Sequence, residues 1–384
     1  MNVDALNVLA ASAALVTAAG LLQALLGSWS VRRHAARAPQ DVPGWRPSVT
    51  VLKPLHGDEP LLEEALASFC EQAYPGMQIV FGMQDSADPA MHVIRRLRAR
   101  FPDVDIAVVI DATQHGVNRK IGNLINMYRF AKHDVLVLAD SDIHAPPGYL
   151  ANLVQTLAQP DVGLVTTLYA GLGATDTIAA RLGMAQINHS FLPGALLARG
   201  LGRQDCLGAT MALRRDTLEQ IGGLEALAGH LADDAVLGQL VAALGLSVAL
   251  AGTVGMTTVP EITIGSLFAH ELRWARTIQS VAPVGFVLSS LQYPMFWAAM
   301  AMVASGGAKW ALMLFVVTWL VRAIAALMVD SALGLAPAAP VWLLPARDFL
   351  SVAVILASYG GTEVAWRGHI LHISPTPSLA QGKG

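Results

Sequence analysis

Apolar residues gather at the two ends of the chain, and the middle alternates between short apolar runs and polar loops. Ala5–Trp29 carries no charge over about 25 residues, more than the roughly 20 that a helix needs to cross a hydrocarbon core. Arg32, Arg33 and Arg37 follow it. A signal peptide places its charges before a shorter apolar run, so this order predicts an uncleaved anchor. Basic residues mark the cytoplasmic side, which puts everything after Arg32 in the cytoplasm. Toward the other end, Val281–Ala304, Trp310–Val329 and Val341–Gly360 form three more apolar segments separated by Gly and Pro loops. Arg347 and Asp348 interrupt the last of them. An adjacent ionisable pair is costly in lipid and is tolerated at an interface or in a protein-lined cavity. The third segment is therefore expected to enter partway or to begin as an interfacial helix.

Between Ser48 and Ala249 the periodicity changes. Val49–Leu52, Gln78–Met83, Ile106–Ile110 and Val135–Ala139 read as strands, and Glu59–Phe69, Ala90–Arg100 and Ile121–Ala131 as the helices between them. Such alternation predicts a parallel sheet with helices on its faces. Ligands bind beyond the carboxyl ends of the strands in sheets of this kind, which singles out Asp85 and the pair Asp140 and Asp142.

Composition supports a membrane protein with a globular middle. The 384 residues are 54% hydrophobic and 14% charged, against roughly 25% charged in soluble proteins. The net charge of −3 shows no basic footprint for nucleic acid. Two distant cysteines, Cys70 and Cys206, make no disulfide framework, and a cytoplasmic location keeps them reduced.

The polar positions at strand and helix ends carry the candidate chemistry. Asp140-Ser141-Asp142 sets two carboxylates just beyond a buried strand, which fits either a clamp for a hard cation on a diphosphate or a solvated turn. Asp85 and Asp88 fit a hydrogen-bonding site for a base or ribose, or an Asx turn opening the next helix. Lys120, with Arg119 beside it, stands at the mouth of a helix, where main-chain N–H groups and a cation together suit phosphate. Asp233 and Asp234 open the helix Ala235–Leu244, as caps or with one of them as a general base. His270 and Trp274 lie at i and i+4 on a predicted amphipathic helix with Arg273 beside them, as interfacial anchors or as a phosphate-binding Arg with an aromatic wall.

In order, Asp85, Asp140-Ser141-Asp142, Asp234 and His270-x-x-Arg273-Trp274 resemble the D, D, D, (Q/R)xxRW signature of membrane-bound inverting glycosyltransferases of the GT-A fold. More narrowly, the chain resembles the ceramide glucosyltransferase family over about residues 48 to 280. The matching strings are Leu52-Lys53-Pro54-Leu55-His56-Gly57, Gln84-Asp85-Ser86-Ala87-Asp88-Pro89-Ala90, Gly116 through Leu124, and Arg214-Arg215-Asp216-Thr217-Leu218 leading to Gly222-Gly223-Leu224. Its length, single N-terminal anchor, Pro345-Ala346-Arg347-Asp348 and Trp366-Arg367-Gly368 make it most similar to the bacterial hopanoid-biosynthesis-associated members. Two departures stand out: His270 takes the place of Gln or Arg, and Asp233 that of the Glu common before the third aspartate.

The resemblance implies an α/β fold with a GT-A, Rossmann-like catalytic domain, one N-terminal and two to three C-terminal transmembrane or interfacial helices. The expected division is an anchor at 1–31, a cytoplasmic catalytic domain at 46–279, membrane helices at 280–365 and a polar tail at 366–384. It implies a hexosyltransferase in a bacterial inner membrane. The donor would be a UDP-sugar, UDP-N-acetylglucosamine in the hopanoid branch, and the acceptor a hopanoid such as bacteriohopanetetrol. Ceramide with UDP-glucose is the nearest alternative. By the same resemblance Lys53, Asp85, Asp88, Lys120, Asp140 and Arg273 would bind the donor, and Asp140 and Asp142 would hold Mg²⁺ or Mn²⁺. Asp234 would be the general base, with His270 and Trp274 near the acceptor or diphosphate. A processive polysaccharide synthase shares the motif logic but needs more membrane helices. A small transporter would place its ionisable residues inside the spans, whereas nearly all of them lie in the middle.

Overall fold

The computed structural model describes residues 3–37, 45–361, 363–366 and 369–372. Arg367, Gly368 and the tail beyond His372 lie outside the described residues, and with them most of the segment expected as a polar tail. The chain forms two compact units. One comprises the stretches that end at Ala174 and run from Arg203 to Pro260; the other comprises the N-terminal helix, Thr175–Gly202 and the chain from Glu261 onward.

The first unit is built on eight strands: β1 (Val49–Pro54), β2 (Met77–Met83), β3 (Asp105–Ile110), β4 (Val135–Ala139), β5 (Ile143–His144), β6 (Val162–Gly173), β7 (Thr210–Arg214) and β8 (Ser247–Val259). They line up as β3-β2-β1-β4-β7-β6-β8-β5. Pairings among β1, β2, β3 and β4 are parallel, as the alternation predicts. Beyond β4 the expectation of a parallel sheet holds only for β6 with β8: β7 runs antiparallel between β4 and β6, and β5 runs antiparallel at the edge of β8. Parallel neighbours need a crossover, usually through a helix packed on the sheet. The chain between β6 and β7 instead passes through Thr175–Gly202, which packs in the other unit, so β7 returns without that constraint.

Period-2 alternation divides the core between the two faces. Val49, Val51, Val135 and Val137 join a cluster with Leu66 and Phe69 of α2 (Leu62–Cys70), Ile94 of α3 (Ala90–Arg100) and Leu153 of α5 (Tyr149–Leu157). Leu52, Val80, Leu136 and Leu138 join another with Leu124 of α4 (Arg119–Tyr128), Leu218 of α8 (Arg215–Gln220) and Leu237 of α9 (Asp233–Ala243). Each such side chain, taken wholly out of water, stabilises by about 1.5–3 kcal/mol. Helix α2 starts three residues later than expected because Leu61 takes a left-handed conformation, φ 58°, which leaves Glu59 in the preceding loop.

The second unit contains α1 (Val3–Ala35), α6 (Ile178–Gln186), α7 (Leu192–Gly200), α10 (Ile264–Val281), α11 (Pro283–Leu288), α12 (Pro294–Ala304), α13 (Lys309–Ala332) and α14 (Leu344–Ser358). A short hairpin of β9 (Glu363–Trp366) and β10 (His369–His372) follows. One π-helical turn, Ile187–Phe191, joins α6 to α7. Helices α1, α13 and the stretch Val341–Ser358 are long and apolar enough to cross a membrane. The run expected to be continuous over Val281–Ala304 is instead bent by 70° between Pro283–Gln292 and Pro294–Ala304. Pro294 has no N–H and biases Tyr293 away from helical angles, and Tyr293 sits at φ −115°, ψ 61°. Thr175–Gly202, expected within the catalytic domain, packs with these apolar helices.

Helix α1 approaches its neighbours at glycines. A Cβ on Gly20 would stand 2.3 Å from the Leu291 carbonyl oxygen and 3.1 Å from Pro294 Cβ. Overpacking against a backbone atom costs about 1–3 kcal/mol. Gly20→Ala should therefore lower the melting temperature of the detergent-solubilised protein by several degrees. Gly265→Ala, whose added methyl would meet nothing within 4 Å, should leave it unchanged or slightly raised.

Candidate functional site

The parallel strands β1, β2 and β4 end on the same edge of the sheet, at Pro54, Met83 and Ala139. Just past β4 the chain turns, and each residue of Asp140-Ser141-Asp142 is tied down. The Asp140 N–H donates to the Ala209 carbonyl at 3.0 Å. Ser141 Oγ donates to the Glu59 carboxylate, which the late start of α2 leaves in a loop. The Asp142 carboxylate accepts from Thr257 Oγ1 of β8 at 2.6 Å.

Two lysines face these acids. Lys53, at the end of β1, is wholly buried; its Nζ donates to the Asp140 carbonyl at 2.8 Å and lies 3.8 Å from the centre of the Phe69 ring. Burial pulls its ammonium down to about 7, against the opposing pull of Asp142 and Asp140. Lys120 stands in the first turn of α4, whose N-terminus is capped by Asn118 Oδ1 accepting from the Ile121 N–H at 3.1 Å. Its Nζ is 2.7 Å from Asp140 Oδ1 and 3.6 Å from Asp233 Oδ2. Burial alone would lower the Lys120 pKa, but Asp140 and Asp233 outweigh it and the net direction is upward. Lys120 is thus a fixed cation.

At the start of α9, Asp233 accepts from Asn118 Nδ2 at 3.0 Å through Oδ1, while Oδ2 is buried with no hydrogen-bond donor. Asp234 accepts from the Ala235 N–H at 2.8 Å through Oδ1. Its other oxygen leans over Gly208, where a Cβ would come within 2.9 Å. Burial and then Asp233 push the Asp234 carboxyl up to about 6. Burial likewise raises Asp140 and Asp142, although Lys120 and Thr257 respectively oppose it. Five carboxylates, Glu59, Asp140, Asp142, Asp233 and Asp234, therefore surround two ammonium groups. Among the described residues, no three His, Cys, Asp or Glu side chains stand in metal-ligating geometry.

Asp85 is exposed after β2 and accepts from the Ala87 N–H at 2.9 Å, an Asx turn. Asp88 is occupied by main chain: Gly57 donates to both its oxygens, at 3.1 and 2.9 Å, and Ala90 to Oδ1 at 2.9 Å. Gly57 meets it at φ 79°, a conformation that glycine adopts freely. In the helical unit, α10 opens with a reciprocal cap between Thr263 and Ser266. His270 and Trp274 meet edge to face with ring centres 4.6 Å apart, as the i, i+4 spacing predicts, and His270 Nδ1 pairs with the Glu261 carboxylate.

A family model for glycosyl transferase family 21 matches residues 12–379. The chain belongs to that family. Among relatives, ceramide glucosyltransferase 1 of Caenorhabditis elegans is 22% identical over 64% of this chain and 53% of its own length. The ceramide glucosyltransferase of Gibberella zeae is 32% identical over 30% of this chain and 24% of its own. The chain spans about half the length of the nematode relatives it matches. A mannosyltransferase of Pyrobaculum calidifontis, solved with GDP-Man and Mn²⁺, aligns with a TM-score of 0.52 at 22% identity, covering 91% of this chain and 99% of its own. The fold is thus GT-A-like, with a long apolar N-terminal helix and apolar C-terminal helices.

Sequence reasoning named Lys53, Lys120, Asp140, Asp142 and Asp234, and the structure gathers them in the sheet-bearing unit. It missed Glu59, Gly208 and Thr257 as neighbours of these groups. Glu59 reads locally as a first-turn helix acid, and Thr257 lies 115 residues from Asp142 with no local mark. The charge balance can be tested directly. Lys120→Met leaves Asp140, Asp233 and Asp234 repelling one another, at a cost of about 2 kcal/mol once the partial exposure of Asp140 is allowed for. The Asp140 and Asp234 carboxyls, already raised by burial, are then raised further above their unfolded values. Stability is kept while they are protonated and lost as pH rises through the folded pKa. The variant's deficit in melting temperature should therefore grow from pH 5 to pH 8, and a pH-independent deficit would count against this balance.

Proposed function

We propose that this protein is an inverting glycosyltransferase that moves a sugar from a UDP-sugar to a hydroxyl of a membrane lipid. The observation that carries the reading is Lys120, which touches Asp140 at 2.7 Å and Asp233 at 3.6 Å and so unites two acidic motifs about 90 residues apart. Membership of glycosyl transferase family 21 supports it. The names of the relatives, ceramide glucosyltransferases, favour a lipid acceptor.

We assign the roles as the motif resemblance implies, with geometry that supports some of them. Asp234, with its raised pKa and one oxygen not taken by the Ala235 amide, is the general base that removes the acceptor proton. Attack at the anomeric carbon in a single displacement inverts configuration. Asp85 binds the uridine end, and Lys53 and Asp88 act on the donor through the turns they fasten. Lys120 is the cation for the negative charge of the leaving diphosphate; by the motif resemblance alone, Arg273 would share that charge and His270 and Trp274 would serve the acceptor or diphosphate.

Asp140 and Asp142 suit Mg²⁺ or Mn²⁺. Hard carboxylate oxygens in excess of ammonium charge, and an Asp233 oxygen without a donor, match what such an ion satisfies. When bound, the ion neutralises charge on the departing diphosphate. The arginines in the last turn of the N-terminal helix favour a catalytic unit facing the cytoplasm at a bacterial inner membrane.

Within that class we take UDP-N-acetylglucosamine and a hopanoid such as bacteriohopanetetrol as donor and acceptor. Membranes containing the full-length protein should be incubated with labelled UDP-N-acetylglucosamine, UDP-glucose or GDP-mannose and either the hopanoid or ceramide. Label passing from UDP-N-acetylglucosamine to hopanoid is expected. Label passing from UDP-glucose to ceramide would replace this pair by the alternative, and a labelled polymer would favour a synthase.

Asp234→Asn should leave donor affinity within about twofold and lower kcat by about 10²–10⁴-fold. In the unsubstituted protein the base is protonated below its pKa, so kcat/KM should fall about tenfold per unit below about pH 6 and level off above it. Activity should vanish in EDTA and return with Mg²⁺ or Mn²⁺; full activity in EDTA would remove the metal from the mechanism.

A further inference from the structure

The string Pro345-Ala346-Arg347-Asp348 has no part in the roles above, yet its arginine forms a buried, two-pronged ion pair in the helical unit. Arg347, on the first turn of α14, is 0% exposed. Its two terminal nitrogens reach the two carboxylate oxygens of Glu271 on α10, each at 2.7 Å. A third contact runs to the Leu182 carbonyl of α6 at 3.2 Å, and Ser351 Oγ lies 3.2 Å from Nε and 3.0 Å from a terminal nitrogen. The guanidinium is thereby held flat in one orientation. A planar fork on a carboxylate fixes angle as well as distance, which a point charge on a flexible stem does not.

Glu271 immediately follows His270 and precedes Arg273 and Trp274 by two and three residues. On a helix of 3.6 residues per turn, fixing the direction of one side chain fixes those beside it. We infer that Glu271 and Arg347 are positioning residues: their two-pronged bridge sets the rotation of α10 about its own axis and so aims His270, Arg273 and Trp274. The inference rests on the reading above that these three residues serve the transfer reaction. Charge compensation alone would be met equally well by a lysine, whereas aiming requires the fork.

Arg347→Lys separates the two. In the full-length protein, with the donor and lipid pair that yields product, it should keep the melting temperature within a few degrees. It should lower kcat at least tenfold while donor KM stays within about twofold. A second readout is independent of activity. Trp274→Cys is introduced alone and together with Arg347→Lys, and its labelling rate with a charged maleimide is compared; Cys70 and Cys206 are buried and contribute little. A change of at least threefold in the labelling rate is expected. Unchanged kcat together with an unchanged labelling rate overturns the inference. If Arg273→Lys and Trp274→Ala are themselves fully active, the functional reading of the motif fails, while the labelling result still decides whether the bridge sets the rotation. Should Arg347→Lys not accumulate folded, Glu271→Gln, which keeps the shape and one acceptor oxygen, carries both measurements by the same criteria.

Discussion

Like charges held close together in a partly dry space are the constraint on which the sheet-bearing unit depends. Asp140, Asp233 and Asp234 come from two distant segments, and each is driven upward in pKa or kept by a specific partner. Lys120 stabilises the gathering because it is anchored in the first turn of a helix and cannot retreat to solvent. Lys53 takes the opposite course: wholly buried, it is pulled down to about 7 and donates to the main chain of Asp140. One ammonium acts as a permanent charge, and the other braces the turn. A residual excess of carboxylate is what makes the place receptive to further positive charge.

Much of the first half of this unit is legible in the amino-acid order because its determinants are local. Val49–Leu52 and Val135–Ala139 show their strand period directly, and the acids that follow them sit where strand ends place them. The second half is not. Strand β7 is five residues ending in an arginine, and β6 and β8 mix Thr and Gly with apolar residues, so none of them announces its direction. Direction is decided by connections, and the connection between β6 and β7 leaves the unit altogether. The same distinction holds in the site. Asp140 and Asp142 carry a motif, while Thr257 and Gly208 matter only through where the folded chain brings them.

In the helical unit, hydropathy identifies apolar stretches but not how they break or pack. The proline that bends the run before α12 is plain in the sequence, but its effect depends on Tyr293 leaving the helical region. The ionisable residues of α13 and α14 read as liabilities one at a time. In the fold they are shared: Arg322 donates to the His189 carbonyl at 2.9 Å, at the π-helical turn, and lies 3.5 Å from Asp348. Asp348 also accepts from the Met295 N–H at 3.1 Å.

Chain order gives that arrangement a consequence for biogenesis. A buried arginine or aspartate entering lipid alone is opposed by about 2.5–3.5 kcal/mol. Glu271, Leu182, Arg322 and Met295, the partners of Arg347 and Asp348 described above, all precede α14 in the chain. The most polar of these candidate spans therefore follows in the chain the residues that pair with it, and is made after its counter-charges. In a bilayer such a segment would be placed by docking onto the helices that precede it rather than by hydrophobic partitioning alone, which would make its placement a checkpoint on the assembly of those helices.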